Sequence, residues 1–408
     1  MLAVCVCTCS ISITSELGGH VLKRLYVVIL GLVGLASVQV AEPEIDSTTL
    51  TAFNTAVESG DASAIEGAAS DLMHEAIGNP DDPNALIAAY EAALRLCYLD
   101  CATALPGAEF VLSFPDTGTH PIVADRELLL AVAAYSEASN GASRADLERA
   151  LMNVPEPTLL SARSFLPLYT ELAESGQLGR AARVAGAAVE HLRPVRTSVL
   201  QYYLHALEAY ATTHFLDEPS VEAHEAIVRW NAEMKQLYEA LDHEHAPEWL
   251  SANYWRSEAW DVAVGAYYRS VETRWETGAD IGALTPEQSE MIREEYPLPE
   301  RNSGDDGHEN VSELPHCDGE LVMAERVRFP HRQSYNGIVG SVIVRFKLDE
   351  NGRAFDAEVL ASVPAGSFDT SATDPIESWY WEPEEGVDVA SCRLYRDNLI
   401  VPISFSFD

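Results

Sequence analysis

Two grammars of hydrophobic spacing run along this chain. From residue 44 to about residue 290, apolar residues recur three and four apart and alanine is abundant, which predicts successive amphipathic helices. Leu86, Tyr90, Ala93, Leu94 and Cys97 make one such stripe, and Val228, Trp230, Met234, Leu237 and Leu241 make another. Turn-forming clusters interrupt the pattern at Ser59-Gly60-Asp61, Asn79-Pro80-Asp81-Asp82-Pro83, Ser175-Gly176, Pro194 and Glu218-Pro219. In the last quarter the period becomes two. Val342, Val344, Phe346 and Leu348 alternate within one predicted strand, and Asp349-Glu350-Asn351-Gly352 supplies a tight turn. Ala354–Val363 reads as a second strand, with Phe355, Ala357, Val359 and Ala361 facing one way. Residues 368–378 read as a short helix with Asp369 as its N-cap, Trp379-Tyr380-Trp381 as a strand-like stretch ended by Pro383, and residues 399–407 as the last strand. The expected fold is mainly α with a C-terminal α+β domain: α-solenoid-like helix pairs, then a small ββαβ unit.

The regular turn interval suggests repeated helix pairs. In residues 164–194, Tyr169, Gly176, Leu178, Ala181, Ala185, Ala188 and Pro194 stand close to where a tetratricopeptide repeat places them, and residues 53–80 echo the pattern. The region from 42 to 292 resembles a degenerate tetratricopeptide-like solenoid. An irregular helical bundle shares the same secondary structure and differs only in how the pairs stack. Residues 293–316, rich in Pro, Gly, Asn and acidic side chains, read as an acidic linker, and residues 317–408 as a separate domain.

Charge and cysteines narrow the setting. Of 408 residues, 47% are hydrophobic and 22% charged, enough to bury a core, while the net charge of −38 repels phosphate backbones and anionic head groups. A nucleic-acid partner is therefore not expected. Lys23 and Arg24 precede an apolar run ending near Val38, and Ala36–Ala41 is rich in small residues, so residues 1–41 read as a secretory signal peptide or an uncleaved inner-membrane anchor. Residues 1–20 are not basic and carry three cysteines; the natural start is expected at Val21 or Leu22, with the stretch ahead an extension. The remaining cysteines are 97, 101, 317 and 392, an even number that suits an oxidising compartment. Cys317 and Cys392 bracket the last domain and can staple its ends. Cys97 and Cys101, four apart on one helix face, read as buried small apolar residues rather than a bridge.

The last domain resembles the C-terminal domain of TonB-family proteins. The resemblance is carried by Arg328-Phe329-Pro330, by the Gly-rich opening, strand, acidic turn and strand of residues 337–364, by the Phe-Asp helix start at Phe368-Asp369, by Trp379-Tyr380-Trp381-Glu382-Pro383, and by the closing strand Pro402 to Phe407. Pro375 departs from the family and should shorten or kink its helix. The resemblance implies a periplasmic protein that captures the extended peptide of an outer-membrane TonB-dependent receptor as an added strand. The implied site is Arg328, Phe329 and Pro330 beside the strand containing Leu399, Ile400, Val401, Ile403 and Phe405. The helical region would engage a second protein. The apolar N-terminal run lacks the Ser and His of energy-coupled family anchors, so a periplasmic scaffold without proton-motive coupling is the alternative.

Catalytic chemistry is not expected. GxSxG, P-loop, HExxH and GxGxxG patterns are absent, and no cofactor is implied. His243-Glu244-His245 reads as a solvated turn, because structural zinc normally needs paired ligand clusters, and His74-Glu75 and His224-Glu225 lack a second His at ligand spacing. No metal site is expected. Tyr254, Trp255, Trp260, Tyr267 and Tyr268 read as helix-pair packing rather than the lining of a groove.

Overall fold

The computed structural model describes residues 45–114, 125–241, 246–275, 283–298 and 314–407. The expected signal segment, most of the linker and His243-Glu244-His245 lie outside these residues. No helix among the described residues is long and apolar enough to cross a membrane. The fold is mainly α with a C-terminal α+β region, as the hydrophobic pattern implies. The described residues fall into two compact units, one of 45–175 and 183–206, the other of 176–182 and 207–407. The helices after residue 207 therefore cluster with the last domain, rather than dividing from it at the acidic stretch.

The first unit begins with α1 (Ser47–Ser59), α2 (Ala62–Gly78), α3 (Ala85–Cys97), α4 (Leu105–Ser113), α5 (Arg126–Glu137), α6 (Gly141–Asn153) and α7 (Leu159–Glu174), each packed on the next. Side chains fix where the helices start. Asp46 and Asp61 accept the backbone N–H of Thr48 and Ala64, and Asn140 and Thr158 close capping boxes with Ser143 and Ser161. The interfaces are made of small residues: Ala69, Ala76, Ala89, Ala93 and Ala108 have no exposed surface. Gly107 is the extreme case, since a Cβ there would lie 2.6 Å from Met73 Sδ and 3.0 Å from Ala93 Cβ. Gly176, at φ 74°, turns the chain between α7 and α8 (Leu178–Leu192). Cys97 and Cys101 correct the sequence reading. The helix stops at Cys97, the chain turns, Cys101 opens a 3₁₀ turn (Cys101–Ala104), and the two sulfurs are bonded. The pair escapes the helix geometry that would have kept it apart.

The second unit joins the end of α9 (Leu200–Asp217), α10 (Val221–Glu239), α11 (Glu248–Trp275) and α12 (Pro286–Glu294) to the strand-rich region. Polar groups lock α11 to α10 and to α9. Trp230, fully buried, donates its indole N–H to Asn253 Oδ1 at 3.2 Å, and Arg256 grips Glu208 through two bonds of 2.8 and 3.0 Å. Tyr254 stacks on Tyr238 at 4.4 Å, and Trp260, Tyr267 and Tyr268 surround Phe215, so these aromatics are packing. His224 stacks on Tyr268 and accepts the backbone N–H of Leu284 at 3.0 Å. Burial, reinforced by the Arg293 charge, pushes its pKa down to about 4.

The strand-rich region holds two antiparallel sheets. β1 (Gly319–Val322) pairs with a later strand, β4 (Tyr380–Pro383), while β2 (Gly340–Leu348) lies between β3 (Ala354–Val363) and β5 (Arg396–Phe405). The short helices are α13 (His331–Asn336), between β1 and β2, and α14 (Asp369–Thr373), between β3 and β4. Phe368, not Asp369, is the N-cap of α14, and the chain tightens into a 3₁₀ turn (Asp374–Ser378) with Pro375 near its start. That is the shortening the proline implies.

The central strand is buried on both faces. Val342, Val344, Phe346 and Leu348 meet Phe368, Ala372, Ile376 and Trp379 in an aromatic core. On the other face Ile343, with Ala361 and Val363 of β3, packs on Ala259 and Ala263 of α11. Two further bonds tie α11 to this face: Ser341 Oγ donates to the Ala259 carbonyl, and Ser270 Oγ accepts the Phe407 N–H at 2.8 Å. Gly340 is glycine by close approach, since a Cβ would meet the Val363 carbonyl oxygen at 2.0 Å.

β3 differs from its expected alternation. Ile343 faces Ala361 but Val344 faces Val359, and Arg345 faces Glu358 but Lys347 faces Phe355. At each step β3 carries one extra residue, a bulge that switches faces. Ala357 and Val359 therefore join the aromatic core, while Phe355 and Ala361 lie on the α11 side.

Candidate functional site at the sheet edge

β5 is an edge strand, hydrogen-bonded to β2 on one side. An edge strand presents a row of N–H and C=O groups able to pair with another chain. Pro402 lies within it, opposite Ile343, a residue that strands tolerate at edges because it donates no N–H. Leu399, Val401, Ile403 and Phe405 turn toward the aromatic core, and Phe405 stacks on Phe368 at 4.3 Å. Ile400 turns the other way and packs beside α11. Phe405 and Ile403 are buried, whereas Leu399, Ile400 and Val401 keep part of their surface.

The three residues ahead of the first core strand are divided by the structure. Phe329 is half-buried: it stacks on Phe407 at 4.9 Å and meets Phe405 and Phe368 edge-on at 5.8 Å. Arg328 points outward, its side chain 85% exposed, and pairs loosely with Glu325 at 3.3 Å. Pro330 caps α13 with extended dihedrals and presents no hydrogen-bonding side chain. The structure thus brings Phe329 to the C-terminal end of β5. Along β5 it leaves Asp397, Asn398, Pro402 and Ser404 exposed, with the fringes of Leu399, Ile400 and Val401.

The start of β5 is pinned. Cys317 and Cys392 are joined, and the Cys317 N–H donates to the Arg393 carbonyl at 3.0 Å. Arg396 donates to the Cys317 carbonyl at 2.9 Å and lies 3.9 Å from the centre of the Trp381 ring. Desolvation first, then the nearby Arg393, lowers its pKa. The Cys317 segment therefore anchors the residues ahead of β5 and pairs with Arg393 rather than along the strand.

The opposite edge is built differently. β3 is bulged twice, and Asp356 takes a left-handed φ of 56°. Lys347 Nζ bonds Asp356 Oδ2 at 2.5 Å, which raises the lysine pKa and lowers that of the carboxylate. Arg345 pairs with Glu358 at 2.5 Å on the same face.

Sequence reasoning passed over two features. β1, four residues long, is too short to show periodicity, although its partner β4 coincides with the strand-like stretch ended by Pro383. Arg326 shares the alternation of Arg328, outward while Val327 and Phe329 turn in, and that short pattern could have been read. No cluster of three or more metal-ligating side chains occurs among the described residues.

Compared with known proteins, residues 325–393 match the family described as Gram-negative bacterial TonB protein C-terminal. No curated protein matches the chain.

Proposed function

Starting from a TonB-type C-terminal domain at residues 325–393, we propose that the chain is a periplasmic binding protein of the cell envelope that captures extended peptides of outer-membrane receptors. The guest adds as a fourth strand along β5. One observation carries this reading: both faces of β2 are covered, by the aromatic core and by α11, so the open backbone of the sheet is at its edges. Affinity would come from main-chain bonds, with Leu399, Ile400 and Val401 choosing among guest side chains. The role is recognition rather than catalysis. The two disulfides support an oxidising compartment.

The test is fluorescence anisotropy of the full chain with a labelled peptide from the N-terminal segment of a TonB-dependent receptor. Saturable binding, lost when β5 is disrupted, supports the reading, and no binding to any receptor segment overturns it. A scaffold role without energy coupling is the second reading. It is favoured by the packing of α11 on the sheet, which builds the TonB-type domain into a helical unit. It predicts normal growth on scarce iron after gene deletion.

A further inference from the structure

We propose that the groove between α10 and α11 is a helix-docking site, filled in this structure by the chain's own α12, and that its partner is a helical segment carrying an apolar residue followed by an arginine.

The walls of the groove are joined without α12. Trp230 and Asn231 of α10, both buried, donate to Asn253 at 3.2 Å and to Glu258 at 3.1 Å on α11. The helix of α12 is written in its own residues. Thr285 and Gln288 close a capping box, Pro286 and Glu287 stand in the first turn, and Arg293 stands in the last. Against its neighbours α12 buries a single side chain, Ile292. Its other ties are polar and lie at its two ends. The Leu284 N–H donates to His224 Nδ1 at 3.0 Å, and Arg293 donates to Asp261 Oδ2 at 2.9 Å. Just past the helix, Glu295 pairs with Arg229 at 2.5 Å, and the Pro297 carbonyl accepts from Gln236 at 2.9 Å. Residues 284–297 therefore run along α10 in its own direction, from His224 toward Gln236.

This segment is an occupant more than a part of the core. α10 buries eleven side chains and α12 buries one. Apolar burial ties an element to cooperative unfolding, whereas part-exposed ion pairs add little. α12 can lift while α10 and α11 stay joined. The surface it then uncovers is acidic. Asp261 is left beside Glu258, and Glu233, 4% exposed, lies near Tyr296. Burial pushes the Asp261 pKa up against the pull of Arg293, as for a carboxylate that is short of water and needs a cation. The seat of Ile292 asks for an apolar side chain and Asp261 asks for a charged donor beside it. A helix laid in the groove with these two residues adjacent meets both demands.

The experiment uses the full chain and a fluorescein-labelled peptide of residues 283–298, ALTPEQSEMIREEYPL. The variant I292A/R293Q weakens the occupant and leaves the groove unchanged. A tethered helix competes at an effective concentration on the order of millimolar, so the peptide should bind this variant about ten-fold or more tightly than it binds the wild-type chain. A peptide with Arg293→Gln should lose most of that gain, and one that binds as tightly as the native peptide overturns the arginine requirement. Hydrogen exchange of the wild-type chain gives an independent reading. Amides of α12 should exchange about 100-fold faster than those of α10 and α11. Exchange of α12 as slow as that of its neighbours makes it a fixed cap and overturns the inference. Equal peptide binding to both chains, or binding to neither, does the same.

Discussion

The two outer strands of the three-stranded sheet share a neighbour, β2, but are built to opposite ends. β3 is bulged twice, twists through a left-handed Asp356 and carries the salt bridges of Lys347 and Arg345 across its face. Bulges and charges are the devices that keep an edge from pairing with another chain. β5 keeps an unbroken register from Phe346–Leu399 to Gly340–Phe405 and slips only near its start, where the disulfide and Arg396 hold the chain. Its aromatic residue is sunk in the core, with Phe405 3% exposed, whereas Phe355 of β3 is 41% exposed. A regular edge anchored from within can receive a strand, while an irregular, charge-decorated edge resists one. An edge is thus defined less by lying outermost than by whether its backbone stays straight.

This contrast can be broken most forcefully at Phe405. F405A removes a buried ring stacked on Phe368 and should cost about 3–5 kcal/mol of stability in urea unfolding, with peptide binding falling as well. F355A at the other edge should change stability by about 0.5 kcal/mol or less, as exposed positions do. If F355A proves the more costly, the assignment of anchored and unanchored edges is wrong. C392S comes next. Opening a loop closed between Cys317 and Cys392 should cost about 2–4 kcal/mol in thermal or chemical unfolding, and should loosen the start of β5 first in hydrogen exchange.

A subtler effect concerns acid. His224 is held neutral in the fold, with its pKa lowered to about 4, while an unfolded histidine titrates near 6.5. The unfolded state therefore binds more protons between these values, so stability should fall by roughly 2 kcal/mol as pH drops from about 6.5 to about 4. H224Q should flatten that limb of the pH–stability curve and leave peptide binding at neutral pH unchanged, separating helix packing from edge chemistry. The smallest effect is on the guarded edge. K347A should return the Asp356 carboxylate toward the ordinary range in an NMR titration, because the lysine is what lowers it. The stability given by that depressed carboxylate is present at neutral pH and is lost only as pH falls through its folded pKa.

How far the sequence showed this depended on the range of the interaction. The inward set Val342, Val344, Phe346 and Leu348 was plain, because a strand sends successive side chains to opposite faces and so writes each face at period two. The last strand was equally plain, apart from its N-terminal start at Arg396. The bulges of β3 were hidden, since one extra residue leaves each half of the strand alternating while exchanging the faces. The cover on the second face of the sheet was hidden for another reason. Ala259 and Ala263 form an ordinary small-residue helix face, and nothing local says that it meets Ile343 and Val363 rather than another helix. Cys97 and Cys101 were misread because the helix was assumed to continue through both. At the edge, the residue types were visible, but their burial was not: Ile403 and Phe405 are sunk in the core, while Leu399, Ile400 and Val401 stay partly covered.

The central claim is that β5, not β3, receives the guest. Residue-resolved hydrogen exchange on the full chain, with and without a saturating receptor peptide, tests it directly. The account predicts new protection at outward-facing amides within residues 396–405 and unchanged exchange along β3. Protection along β3, or bound peptide with no change at either edge, would contradict it.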